Sequence, residues 1–184
     1  MRKDVGPILR RYFINTLFDS TFVLLGIIVG VAYAPDPHIR VVMVAMVTSS
    51  LALGISTGVS VYEAESLERE RRITELERAL ITRLENTEIE RSSRLITALI
   101  TLINFATPLF SCSVTIMPFV LVLFKALKIE AASWLSASLA LTILFVAGVY
   151  VGRVGKKNPL MKGLRMAGFG LLAFLCAFFL NSLL

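Results

Sequence analysis

Histidine occurs once in this chain, at His38, and cysteine twice, at Cys112 and Cys176, both inside apolar stretches. That scarcity removes the ligand spacings of a structural zinc site and the framework of a disulfide-stapled domain. Also missing are a nucleophile-and-base constellation, a His-Glu metal motif and a glycine loop able to cradle phosphate, so the chain does not read as an enzyme. Its basic residues form no stripe with interleaved aromatics, which argues against nucleic acid as a partner. The largest absence is of charge. Five stretches, 13–34, 39–62, 95–124, 131–152 and 160–184, carry few charged residues or none.

What fills those stretches is apolar: 56% of the chain is hydrophobic, too much for a soluble domain. A helix of about 20 apolar residues crosses the hydrocarbon of a bilayer, and each stretch is long enough. The fold class is therefore an all-α integral membrane protein with five transmembrane helices in a single membrane domain, 1–184. Residues 63–94 form a Glu/Arg-rich insert between the second and third spans.

Cytoplasmic flanks collect lysine and arginine. Of the 19 such residues, all but Arg40, Lys125 and Lys128 precede the first span, lie within 69–94 or separate the last two spans. The N-terminus and the insert are accordingly expected in the cytoplasm and Leu184 outside. The net charge of +6 then sits where topology alone puts it, with some attraction to anionic lipid. Residues 4–12 read as a short interfacial helix leading into the first span. Pro35 and Pro37 bracket Asp36 in an outer turn, where His38 is a solvated turn residue. Ala32-Tyr33-Ala34 has the form of a signal-peptidase site, but the apolar run before it is too long and contains Asp19, so the first span is expected to be retained.

Asp19 is the residue that calls for a chemical explanation. A carboxylate at the centre of a spanning helix costs roughly 2.5 to 3.5 kcal/mol on insertion scales, so it takes a partner, a proton or a cation. In the second span, Ser50, Gly54 and Gly58 form a small-residue face that lets helices approach closely, with span one through Gly26 and Gly30 as the expected partner. Met43 and Met46, nearer the outer end, offer thioethers to a borderline metal or to core packing.

Beyond Tyr62 come nine glutamates and seven arginines in 63–94, with no glycine or proline, which favours one helix continuing out of span two. Ile73, Leu76, Leu80 and Leu84 mark an apolar stripe on it that needs a partner. Glu65 with Arg69 and Glu68 with Arg72 have the favourable i, i+4 order. Glu63, Glu65 and Glu68 are candidates for a cation-collecting face, and a solvated, salt-bridged helix explains the same residues. Span three carries Pro108 and Pro118 among hydroxyls. It reads either as a broken helix lining a path or as a bent helix whose hydroxyls are satisfied internally.

The order of these parts resembles the vacuolar iron transporter family of divalent-metal transporters. The resemblance rests on Phe18-Asp19-Ser20 followed by Leu24-Leu25-Gly26-Ile27-Ile28-Val29-Gly30, on the small-residue second span running into a Glu-rich segment, and on Met117-Pro118-Phe119. It extends through Leu144-Phe145-Val146-Ala147-Gly148 to Gly163-Leu164-Arg165-Met166-Ala167-Gly168-Phe169-Gly170. It implies a homodimer in the lipid bilayer, here of a prokaryotic plasma membrane, that exchanges Fe2+ or Mn2+ for protons along a path at the subunit interface. Asp19 would be its membrane carboxylate, Glu63, Glu65 and Glu68 would begin a cytoplasmic metal-binding segment, and no cofactor is implied beyond the transported cation. Two features depart from the family. Its helix-two glutamate and methionine fall on Val47 or Thr48 and on Ile55, and its cytoplasmic domain is longer than the segment here. These departures keep two competing functions open: a non-transporting assembly module of the same fold, or a transporter of a different solute.

Overall fold

The computed structural model describes residues 5–32, 38–81, 88–156 and 158–183, and every regular element among them is helical. The five helices are α1 (Val5–Ala32), α2 (Ile39–Leu80), α3 (Glu88–Leu123), α4 (Ile129–Val154) and α5 (Pro159–Leu183). Each is long and apolar enough to cross a membrane. The outer turn at 33–37 and Leu84 of the apolar stripe lie outside the described residues.

α1 holds the bundle together, packing against all four other helices, while α2 pairs chiefly with α3 and α4 with α5. Leu24, Leu25, Ile28 and Val29 of α1 are wholly buried against Val42 and Met46 of α2, Phe119 of α3 and Leu144 of α4. In lipid this apolar burial gives helices little reason to associate, so close packing and interhelical hydrogen bonds decide the arrangement. Thr16 Oγ1 donates to Asn104 Oδ1 at 2.8 Å, Thr21 Oγ1 and Ser111 Oγ pair at 3.0 Å, and Ser136 Oγ donates to the Thr115 carbonyl at 2.5 Å. The first two bonds advance together along both chains, so α1 and α3 run parallel.

Two expectations change, and one of two open alternatives for α3 is favoured. Residues 5–12 are the first turns of α1, not a separate interfacial helix, because Pro7 falls in the opening turn, where its missing N–H costs nothing. The small face of α2 packs on α3, not on α1. A Cβ at Gly54 would stand 2.7 Å from the Phe105 carbonyl oxygen and one at Gly58 3.4 Å from Phe105 Cβ, while Gly26 and Gly30 have nothing within 4 Å. Finally, α3 is unbroken through Pro108 and Pro118. Pro108 cannot donate to the Asn104 carbonyl four residues back, and Thr57 Oγ1 approaches that oxygen from α2 at 3.4 Å while bonding its own Leu53 carbonyl at 2.7 Å. Thr107, Ser113 and Thr115 donate to carbonyls four residues back in α3, so their hydroxyls are satisfied within the helix.

The α4–α5 hairpin is closed by glycine. A Cβ at Gly152 would lie 2.6 Å from Pro159 Cα and one at Gly148 2.8 Å from Gly163 Cα, so the two backbones touch where no side chain fits. Gly170 likewise takes Leu144 into the space its side chain would fill.

Candidate functional site

α1 has two polar faces. Thr16, Ser20 and Thr21 point inward and are buried, with Ser20 and Thr21 donating to the Leu17 carbonyl at 3.0 and 2.7 Å. Asn15, Asp19, Val23, Gly26 and Gly30 are all exposed on the opposite side. Their spacings of four, four, three and four residues keep them in one strip that turns only about 60° over four helical turns. Asp19 stands in this strip, and among the described residues it has neither a hydrogen-bond nor an ion-pair partner. The neighbouring hydroxyls of Ser20 and Thr21 are engaged elsewhere.

The depth of Asp19 follows from the register with α3. Thr16 lies beside Asn104 and Thr21 beside Ser111, so Asp19 is level with Thr107 and Pro108. That is close to the middle of the uncharged stretch 95–124. Asp19 is also 14 residues from the start of α1 and 13 from its end. The carboxylate is therefore central in the bundle's height, on its outer flank, with Gly26 and Gly30 about two and three turns further along the same strip.

The remaining sequence-predicted residues do not join it. Met46 is fully buried and Met43 packs against the same apolar cluster, so both thioethers serve the core. Glu63 and Glu68 are exposed on α2, and Glu68 is held by Arg72 Nε at 3.0 Å. Glu65 is half-buried, with its carboxylate near the Tyr12 hydroxyl of α1; no Glu65–Arg69 ion pair forms among the described residues. Val47 and Ile55 are exposed and apolar, and Thr48 Oγ1 donates to the Val44 carbonyl at 2.7 Å. Among the described residues no three of His, Cys, Asp and Glu converge as a metal would require. Sequence reasoning missed the structural roles of Asn104 and Thr57. Their signal was present in Pro108, whose unpaired carbonyl partner is Asn104.

The fold defines the class: a multi-pass, all-helical membrane protein. No protein-family model matches the chain. It is 26% identical over 170 residues to an uncharacterized protein of Methanocaldococcus jannaschii, a similarity covering 90% of this chain and 85% of that protein.

Proposed function

We propose that this chain is a homodimeric transporter of a divalent metal, Fe2+ or Mn2+ first, that exchanges the metal for protons through a path at the subunit seam. The observation that carries the reading is Asp19, an unpartnered carboxylate at mid-height on an exposed strip that also holds Gly26 and Gly30. Left against lipid it costs roughly 2.5 to 3.5 kcal/mol. A second copy related by a twofold axis covers the strip, with Gly26 and Gly30 permitting close contact, and brings two Asp19 carboxylates to one seam. Two like charges at one site favour taking up a proton or a cation. Metal requires the ionised carboxylates and protonation releases it, so the two cations compete and their fluxes couple.

The charge asymmetry supports a cytoplasmic N-terminus and an outside C-terminus. α2, with 42 residues, is about 63 Å long, twice the hydrocarbon thickness of about 30 Å, which supports a Glu/Arg end projecting beyond the bilayer, on the cytoplasmic side in the proposed orientation. There Glu63, Glu65 and Glu68 raise the local concentration of cations without forming a tight site. Proteoliposomes are expected to take up Mn2+ with counter-movement of protons, and Asp19→Asn to abolish both. Equal flux in wild type and variant removes Asp19 from the mechanism.

The absence of ligating side chains at Val47, Thr48 and Ile55 favours a second reading, a non-transporting assembly module. Calorimetry with Fe2+, Mn2+, Zn2+ and Mg2+ separates the two, since the module gives no saturable heat.

A further inference from the structure

We infer that the cleft at the α4–α5 turn is a binding site for the headgroup of an anionic phospholipid. The cleft encloses about 420 Å3 and is lined by Lys156, Asn158, Met161, Lys162 and Arg165. Three of those five side chains are cationic, and the sequence beyond Glu130 holds no carboxylate, so neither α5 nor the rest of α4 can neutralise them. Among the described residues none of the three makes an ion pair. Such a concentration of uncompensated charge in a concave site calls for an anion.

The local backbone accounts for the shape. The Gly152–Pro159 contact brings α4 and α5 together at the turn, and Lys156, just beyond α4, adopts a left-handed φ of 51°. Lys162 and Arg165, three residues apart, share one face of α5, and Asn158 immediately precedes its first turn. The free amides at the start of this 25-residue helix add a positive end to the same place.

What selects a lipid over a soluble anion is the apolar ground beside the charges. Leu160, Met161 and Leu164 are 72%, 68% and 69% exposed, directly next to Lys162 and Arg165. The apolar span of α5 begins at Pro159, so the cleft lies at the boundary between headgroups and hydrocarbon. A phosphodiester in the cleft leaves its acyl chains along Leu164, Leu171 and Leu175, all exposed on α5. Basic clefts between transmembrane helices at this level recognise anionic headgroups, each basic residue contributing about fivefold in affinity.

The test is lipid retention by the purified full-length protein in detergent, read by native mass spectrometry with phosphatidylglycerol or phosphatidylcholine. Wild type retains phosphatidylglycerol preferentially. Lys162→Gln/Arg165→Gln lowers its affinity about 30-fold, and Lys156→Gln, on the exposed turn where folding is not at stake, about fivefold. Lys125→Gln/Lys128→Gln, removing equal charge at the other end of the bundle, changes nothing. Equal retention by wild type and both cleft variants overturns the assignment. So does displacement of the lipid by an equal concentration of inorganic phosphate, which assigns the cleft to a soluble anion.

Discussion

Alanine at Gly54 puts a Cβ 2.7 Å from the Phe105 carbonyl oxygen, a backbone atom that moves only if α3 moves. Overpacking of this kind costs about 1 to 3 kcal/mol. The glycine-to-alanine change itself returns up to about 1 kcal/mol of helix propensity, so the net loss of protomer stability is about 0 to 2 kcal/mol. At Gly26 nothing of the same protomer lies within 4 Å, so at dilutions that leave the chain monomeric alanine there gains the propensity without the clash. The difference between the two variants therefore isolates the clash, at about 1 to 3 kcal/mol in favour of Gly26→Ala. Reversible unfolding in mixed micelles, followed by Trp134 fluorescence, measures it. Gly26→Leu extends the comparison to assembly, since its side chain leaves the protomer intact and obstructs the seam. Light scattering is expected to show a folded monomer for Gly26→Leu and a dimer for Gly54→Ala. Equal unfolding midpoints for the two alanine variants refute the packing argument, and a Gly26→Leu dimer as strong as wild type places the seam elsewhere.

Further outcomes follow from the same geometry. Asn104→Ala removes both the acceptor of Thr16 and the Nδ2 donor to the Ile100 carbonyl and is expected to lower stability by about 1 to 2 kcal/mol in the same unfolding assay, with Asn104→Asp failing to restore it because a buried carboxylate supplies only the acceptor. Glu63→Gln/Glu65→Gln/Glu68→Gln raises the metal concentration for half-maximal uptake severalfold at low ionic strength and leaves the maximal rate unchanged, because these groups collect cations without coordinating them in transit. Glu68→Gln alone shifts stability by no more than about 0.5 kcal/mol, since its pairing with Arg72 is exposed. Lys128→Cys is labelled by an impermeant maleimide from outside intact cells and Lys156→Cys only after permeabilisation; the reverse pattern inverts the topology.

The number of helices was legible because five apolar stretches exceed the bilayer thickness, and the start of α2 at Ile39 and the start of α5 at Pro159 follow the turn chemistry of the nearby prolines. Helix partners were not legible. A small-residue face declares that something comes close without saying what, so Ser50, Gly54 and Gly58 were matched to Gly26 and Gly30, although Phe105 occupies that groove. Asp19 was legible as an expense and its depth was not, since Gly6-Pro7 disguised the continuity of α1. The bonds from Thr16 and Thr21 to α3 set that depth, and such cross-helix pairings have no local signal.

Proton-coupled Mn2+ uptake into proteoliposomes, compared for wild type, Asp19→Glu and Asp19→Asn, tests whether this carboxylate carries the cation. Wild type and Asp19→Glu should move Mn2+ and protons in opposite directions, the latter at reduced rate, and Asp19→Asn should move neither while remaining a folded dimer. Undiminished uptake by dimeric Asp19→Asn contradicts the account.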